Sequence, residues 1–156
     1  MFFNVRLLDK GKSTLVGAGG RKLVFLLWGL LCAGNCLAQT VVVVAKNSVI
    51  EQLNDRQIAN IFLARTKHFP NGEKASPMEL KHNEMRASFY RQISGKTLNQ
   101  LNAYWTTLVF TGKGKPPRPY SDSRDLLEKF NRQPGAITYL SREQVTARMK
   151  VVYSFP

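Results

Sequence analysis

The sequence predicts an α/β lobe, a mainly parallel sheet flanked by helices, on three observations. The run TVVVVA at residues 40–45 is continuously apolar and β-branched, as expected of a strand covered on both faces in a parallel sheet. Strand-like and helix-like segments then alternate along the chain, the ordering of an α/β architecture. The helix-like segments also carry their own capping and stop signals.

The first strand ends in Lys46-Asn47-Ser48, a polar turn at the strand's C-terminal end. In open α/β sheets that edge is where ligands sit. Asn54 and Gln57 then form a capping box, with Leu53 and Ile58 spaced as a hydrophobic staple across it. Ile58, Ile61 and Phe62 share one face of this helix, which should stop near Ala64. Residues 65–74 are a loop turned by Pro70-Asn71-Gly72. Ala75 to Leu80 reads as a short strand that Pro77 confines to an edge or a strand end.

Asn83 is placed to cap the next helix, with Glu84 in its first turn, where a negative charge suits the helix dipole. Met85, Phe89, Tyr90 and Ile93 form the apolar stripe of that helix, and Gly95 ends it. Thr97 with Gln100 is a second capping box. The third helix it opens turns Leu98, Leu101, Trp105 and Leu108 inward. Residues 111–118 (TGKGKPPR) form a basic loop, because two glycines and paired prolines exclude a helix. Ser121 or Ser123 caps a fourth helix with Leu126, Leu127 and Phe130 facing inward, and Pro134-Gly135 stops it. Ala136 to Leu140 is another strand, Ser141 with Gln144 opens a short helix, and Met149 to Phe155 is the last strand.

Residues 1–38 read as a secretory signal rather than as part of the fold. Arg21 and Lys22 precede an apolar run, Leu23 to Leu31, and then small residues up to Leu37-Ala38-Gln39. The run falls short of the ~20 residues a membrane span needs, so cleavage after Ala38 and a periplasmic location are expected. The segment before Cys32 and Cys36 lacks a lipoprotein pattern, and both cysteines leave with the leader. Residues 39–156 then form one domain without thiol or disulfide chemistry. Of the 23 basic and 10 acidic residues in the chain, the leader takes five and one. The remaining 18 and 9 give a net charge of +9, which attracts small anions or anionic polymer. Export argues against nucleic acid as the partner.

No enzymatic constellation stands out, and none is expected. Gly11-Lys12-Ser13-Thr14 copies the end of a phosphate-binding loop, but Arg6 occupies the position of its required glycine. His68 and His82 sit in separate loops and suggest no metal site. Glu73, Glu79 and Glu84 read as solvated or capping carboxylates rather than a hydrolytic pair. No cofactor is expected.

Four stretches taken together, VVVVAKNSVIEQLNDRQIANIF, RASFYRQISG, AYWTTLVFTGKGKPP and PGAITYL, resemble the phosphate ABC transporter substrate-binding proteins in a short, single-lobe form. The resemblance covers about Thr40 to Val152. It implies one periplasmic-binding-protein-like lobe that contacts phosphate at a Ser-Gly-Thr turn opening a helix, just ahead of Arg-x-x-Phe. Arg86 to Phe89 matches the latter, whereas Asn83-Glu84-Met85 stands where Ser-Gly-Thr would be. A carboxylate at that position repels phosphate by roughly 1 kcal/mol.

The expected ligand set is therefore Lys46, Asn47, Ser48, Lys81, Asn83, Arg86, Thr111 and Gly112, gathered at one sheet edge around a phosphate-like oxyanion. Lysine and arginine would supply charge, and hydroxyls, amides and backbone N–H groups would supply hydrogen bonds. Asn83 is equally placed to cap its helix, and Arg86 has Glu79 and Glu84 as competing partners. The alternative is a ligand-free adaptor or sensor that binds an envelope protein.

Overall fold

The computed structural model describes residues 39–155. The leader, its cleavage site and both cysteines lie outside the described residues. Five strands form one sheet: β1 (Thr40–Ala45), β2 (Ser76–Leu80), β3 (Arg118–Tyr120), β4 (Ala136–Ser141) and β5 (Met149–Ser154), in the order β3-β2-β4-β1-β5. Among the described residues four α-helices flank it: α1 (Asp55–Phe62), α2 (Asn83–Ser94), α3 (Leu98–Phe110) and α4 (Ser123–Arg132). No helix among the described residues is long and apolar enough to cross a membrane.

Side chains alternate across β1, so its two apolar sets enter two different cores. Val42 and Val44 join Ile137, Tyr139 and Val152 beneath α1, α2 and α3. Val41 and Val43 face Leu126 and Phe130 of α4 on the other side, together with Met78, Leu80 and Leu140. This double cover accounts for the continuous apolar run. Among the described residues the sheet and both cores belong to one compact unit, Leu37–Pro156.

Four strands point one way, whereas β1 runs against both of its neighbours: Val42 lies opposite Tyr139 of β4 and Tyr153 of β5, both in antiparallel register. An apolar run reports that both faces of a strand are covered and says nothing of its direction. The reading of β1 as a parallel strand is corrected accordingly, and the consequence is large. β1 delivers Lys46-Asn47-Ser48 to the end of the sheet where β2 and β4 begin, with Pro77 of β2 level with Ile137 of β4.

The capping boxes fold as their spacing dictates. Asn54 and Gln57 exchange two 2.9 Å bonds at α1, and Thr97 and Gln100 exchange a 2.9 Å and a 3.4 Å bond at α3. Two caps differ from expectation. His82 rather than Asn83 caps α2, its Nδ1 accepting from Met85 N–H at 3.3 Å. Asp122 rather than a serine caps α4, accepting from Arg124 N–H at 2.7 Å. In both cases the chain turns into the helix one residue from the position favoured by residue type.

Strand β3 begins at Arg118, the last residue of the expected basic loop. It is three residues long and sits at the sheet's edge, where Pro119 has no ladder bond to break. Pro77 fits as a strand end, since β3 pairs with β2 only from Met78 onward. Gly135 enters β4 at φ +69°, and a Cβ there would collide with the Lys74 carbonyl oxygen. Glycine alone fits that close crossing.

Candidate functional site

The carboxyl ends of β2, β3 and β4 present one edge of the sheet, and α2 begins there. Lys81 N–H donates to Tyr120 O at 2.8 Å, which ties the end of β2 to the end of β3. His82 answers the Met85 N–H, and the N–H groups of Asn83 and Glu84, at the very start of the helix, are left for an outside acceptor. Lys81, Asn83 and Glu84 are all exposed. The helix dipole and the lysine attract an anion to this point, and the Glu84 carboxylate opposes it.

Behind that edge lies a buried polar cluster centred on Glu79, whose residue is only 3% exposed. Arg86 Nε donates to its Oε1 at 3.1 Å. The hydroxyls of Tyr90 and Tyr139 both donate to Oε2, at 3.0 and 3.4 Å. The Arg86 guanidinium also lies 5.5 Å from the centroid of the Tyr90 ring, within cation–π range. Burial pushes the Glu79 carboxyl above its ordinary range, and the charge of Arg86 with the three hydrogen bonds pulls it only part of the way back. Burial, followed by the nearby carboxylate, drives both tyrosine hydroxyls well above theirs.

Glu79 was expected to be solvated or capping, and the structure overturns this. Its signal was available in the sequence. Period-2 alternation puts Glu79 on the face opposite Met78 and Leu80, and Arg86 and Tyr90 stand four apart on one face of α2. Of the two partners open to Arg86, Glu79 takes it, because the strand's inward face brings that carboxylate under the helix. Arg86 is thus drawn inward through Nε, leaving its Nη groups as the ones that can still donate to a ligand.

The eight expected ligand residues do not share one pocket. Lys81, Asn83 and Arg86 stand together at the carboxyl edge. Lys46, Asn47 and Ser48 lie at the opposite end of the sheet, on the order of 15 Å away along the strands. There Asn47 and Ser48 line a cavity of about 590 Å³ with Lys74, Arg132 and Gly135. Ser48 is occupied with local structure: its hydroxyl accepts from Ile50 N–H at 3.2 Å and its carbonyl from Lys150 Nζ at 2.7 Å.

Thr111 follows α3 and turns its hydroxyl back to Thr107 O at 2.8 Å. Gly112 lines a separate hollow of about 370 Å³ with Ile61, Ala64 and Pro77. The reversed direction of β1 is the physical reason the first turn is separated from the second. Among the described residues no three His, Cys, Asp or Glu side chains gather as a metal set.

The fold has counterparts among solved structures. One, from Clostridium perfringens, is described as a phosphate ABC transporter substrate-binding protein with bound phosphate. It matches with a TM-score of 0.57 at 13% identity over 73% of this chain and 44% of that one. A second, described as a possible phosphate binding protein from Planctomyces limnophilus, gives 0.54 at 15% identity, over 73% of this chain and 40% of that one. PstS from Borrelia burgdorferi gives 0.50 at 10% identity, over 73% and 46%. The chain spans less than half the length of each of them, and at these identities the likeness is one of fold. No family model and no curated protein matches the sequence.

Proposed function

We propose that this chain is an exported, solute-binding-like lobe that recognises a small oxyanion of the phosphate class at the carboxyl edge of β2. The observation that carries this reading is the start of α2, where outward backbone N–H groups and Lys81 stand at the end of an inner strand. That combination of dipole, donors and positive charge is suited to a tetrahedral anion. Asn83 adds an amide donor, and Arg86, whose Nε is taken by Glu79, has its Nη groups as further donors. The fold's resemblance to proteins described as phosphate-binding supports the choice of ligand class, and the leader pattern supports export. Protein recovered from the cell envelope should begin at Gln39, as N-terminal sequencing or intact mass will show; a retained leader would contradict export with cleavage.

The site is open on one side, so the anion stays partly hydrated and screened. Affinity is expected near the millimolar range, about 4 kcal/mol of binding free energy. Calorimetric titration of residues 39–156 with phosphate and with sulfate tests this. Lys81→Gln should weaken binding about fivefold, the size of one partly screened charge contact. Glu84→Gln should strengthen it by a similar factor. Absence of heat and of any thermal shift at millimolar anion would remove the reading.

The second reading, a ligand-free adaptor in an envelope complex, draws on a different observation. Glu79 absorbs the charge of Arg86, and Glu84 faces whatever approaches the helix start. On that reading Glu84→Gln leaves anion binding undetectable, as in the parent chain.

A further inference from the structure

Between Glu84 and Asp122 the chain has no acidic residue, yet it has six basic ones: Arg86, Arg91, Lys96, Lys113, Lys115 and Arg118. Glu79 neutralises Arg86, which leaves five. This stretch holds all of α3, a helix with no charged residue along its length. Its outward positions, Asn102, Ala103, Thr106, Thr107, Val109 and Phe110, are exposed. Phe110 is 93% exposed and Val109 52%. A surface helix usually turns charges to water, so an uncharged outer face ending in a bare phenyl ring marks a contact surface.

The presentation is built rather than loose. Beyond α3 the chain wraps back on the helix end, with Gly112 N–H donating to Val109 O at 3.1 Å and Lys113 N–H to Leu108 O at 2.9 Å. Gly114 lies so near Leu108 and Ala64 that a methyl group there would touch both. Lys113 and Lys115 thereby line one hollow with Val109, the residue before Phe110. With Lys67 they rim this apolar hollow over Ile61, Ala64 and Pro77, whose lining includes no acidic residue.

We propose that the end of α3 and the loop 111–117 form a docking surface for an anionic phospholipid bilayer. Charge complementarity selects the occupant: cations without a carboxylate among them match a layer of lipid phosphates. A second copy of the chain is disfavoured, since the same cations would face one another. Phe110 projects almost fully into solvent, placed to enter a bilayer interface beside the lysines. The uncharged side of α3 then lies along the headgroup layer. This proposal is independent of the oxyanion site at the far edge of β2.

Vesicle co-sedimentation of residues 39–156 tests it, comparing pure phosphatidylcholine with a mixture containing about one third phosphatidylglycerol. Binding to the mixed vesicles is expected to exceed binding to the neutral ones about tenfold at low salt, and to fall as salt rises. Phe110→Ser should lower it about fivefold, and Lys113→Gln with Lys115→Gln about tenfold or more. Arg124→Gln with Lys129→Gln removes the same charge from α4, on the other face of the sheet, and should change binding less than twofold by comparison.

All these positions are exposed, so unchanged melting temperatures are expected throughout. Equal losses from the two double variants would overturn the proposal, because binding would then follow net charge alone. An unaffected Phe110→Ser would overturn it as well. So would failure to sediment with the mixed vesicles, including the case where an acidic protein takes the surface instead.

Discussion

Replacing Glu79 with alanine is expected to cost about 2–5 kcal/mol of folding stability, read as a lowered urea midpoint. The change strands two tyrosine hydroxyls that donate to Oε2 and removes the partner of Arg86. Buried donors without acceptors are costly because water cannot reach them. Arg86 keeps some access to solvent, its side chain being 17% exposed, so its share of the loss is the smaller one. A change under 1 kcal/mol would mean that the cluster is not closed as described.

The loss should also depend on pH in a definite direction. Burial, the dominant influence, raises the Glu79 carboxyl above 4.5 in the folded protein. From pH 4.5 up to that raised value the folded state binds more protons than the unfolded chain, so stability falls as pH rises. The contribution is complete below 4.5 and is lost as pH climbs through the folded value. Urea midpoints measured as a pH series should therefore show the gap between parent and Glu79→Ala narrowing as pH increases across that window. A gap that widens would show that Arg86 and the hydrogen bonds outweigh burial.

Phe89→Ala should destabilise the fold by about 3–5 kcal/mol, the range for emptying an aromatic position in a packed core. Phe89 is fully buried and touches four other rings. It stacks on Tyr139 at 3.8 Å between centroids and meets Phe62, Tyr90 and Phe155 edge-on at 4.8 to 5.8 Å. These rings come from α1, α2, β4 and the chain's C-terminal end, so little nearby can collapse into the space. The loss is a large fraction of the roughly 5–15 kcal/mol that holds a domain together. Thermal unfolding with a midpoint within a few degrees of the parent would contradict this placement. Because Phe89 anchors α2 one turn below Arg86, the variant should also bind oxyanion more weakly at 37 °C.

Local signals in the sequence were decisive wherever the interaction spans a few residues. The boxes at Asn54–Gln57 and Thr97–Gln100 fold as spaced, because both partners lie within one helical turn; at Ser141 only the Gln144 side chain answers, accepting from Ser141 N–H at 3.1 Å. The stripes through Phe89, Tyr90, Ile93, Leu101 and Trp105 are buried as their periodicity requires. Arg86, expected to face a ligand, is instead turned to Glu79 by the packing of α2 on the sheet.

What the sequence determined by itself is thus the set of helices, which segments are covered on both sides, the alternation that makes an α/β lobe, and the positive charge. Tertiary structure alone decided the direction of β1, the pairing of Glu79 with Arg86 and two tyrosines, and the division of the expected ligands between opposite ends of the sheet. The reason is one of range. Periodicity and capping are satisfied within about four residues, whereas a strand's direction depends on partners from 93 residues away in β4 to 113 in β5, and Thr40 meets Ser141 only when the whole sheet closes.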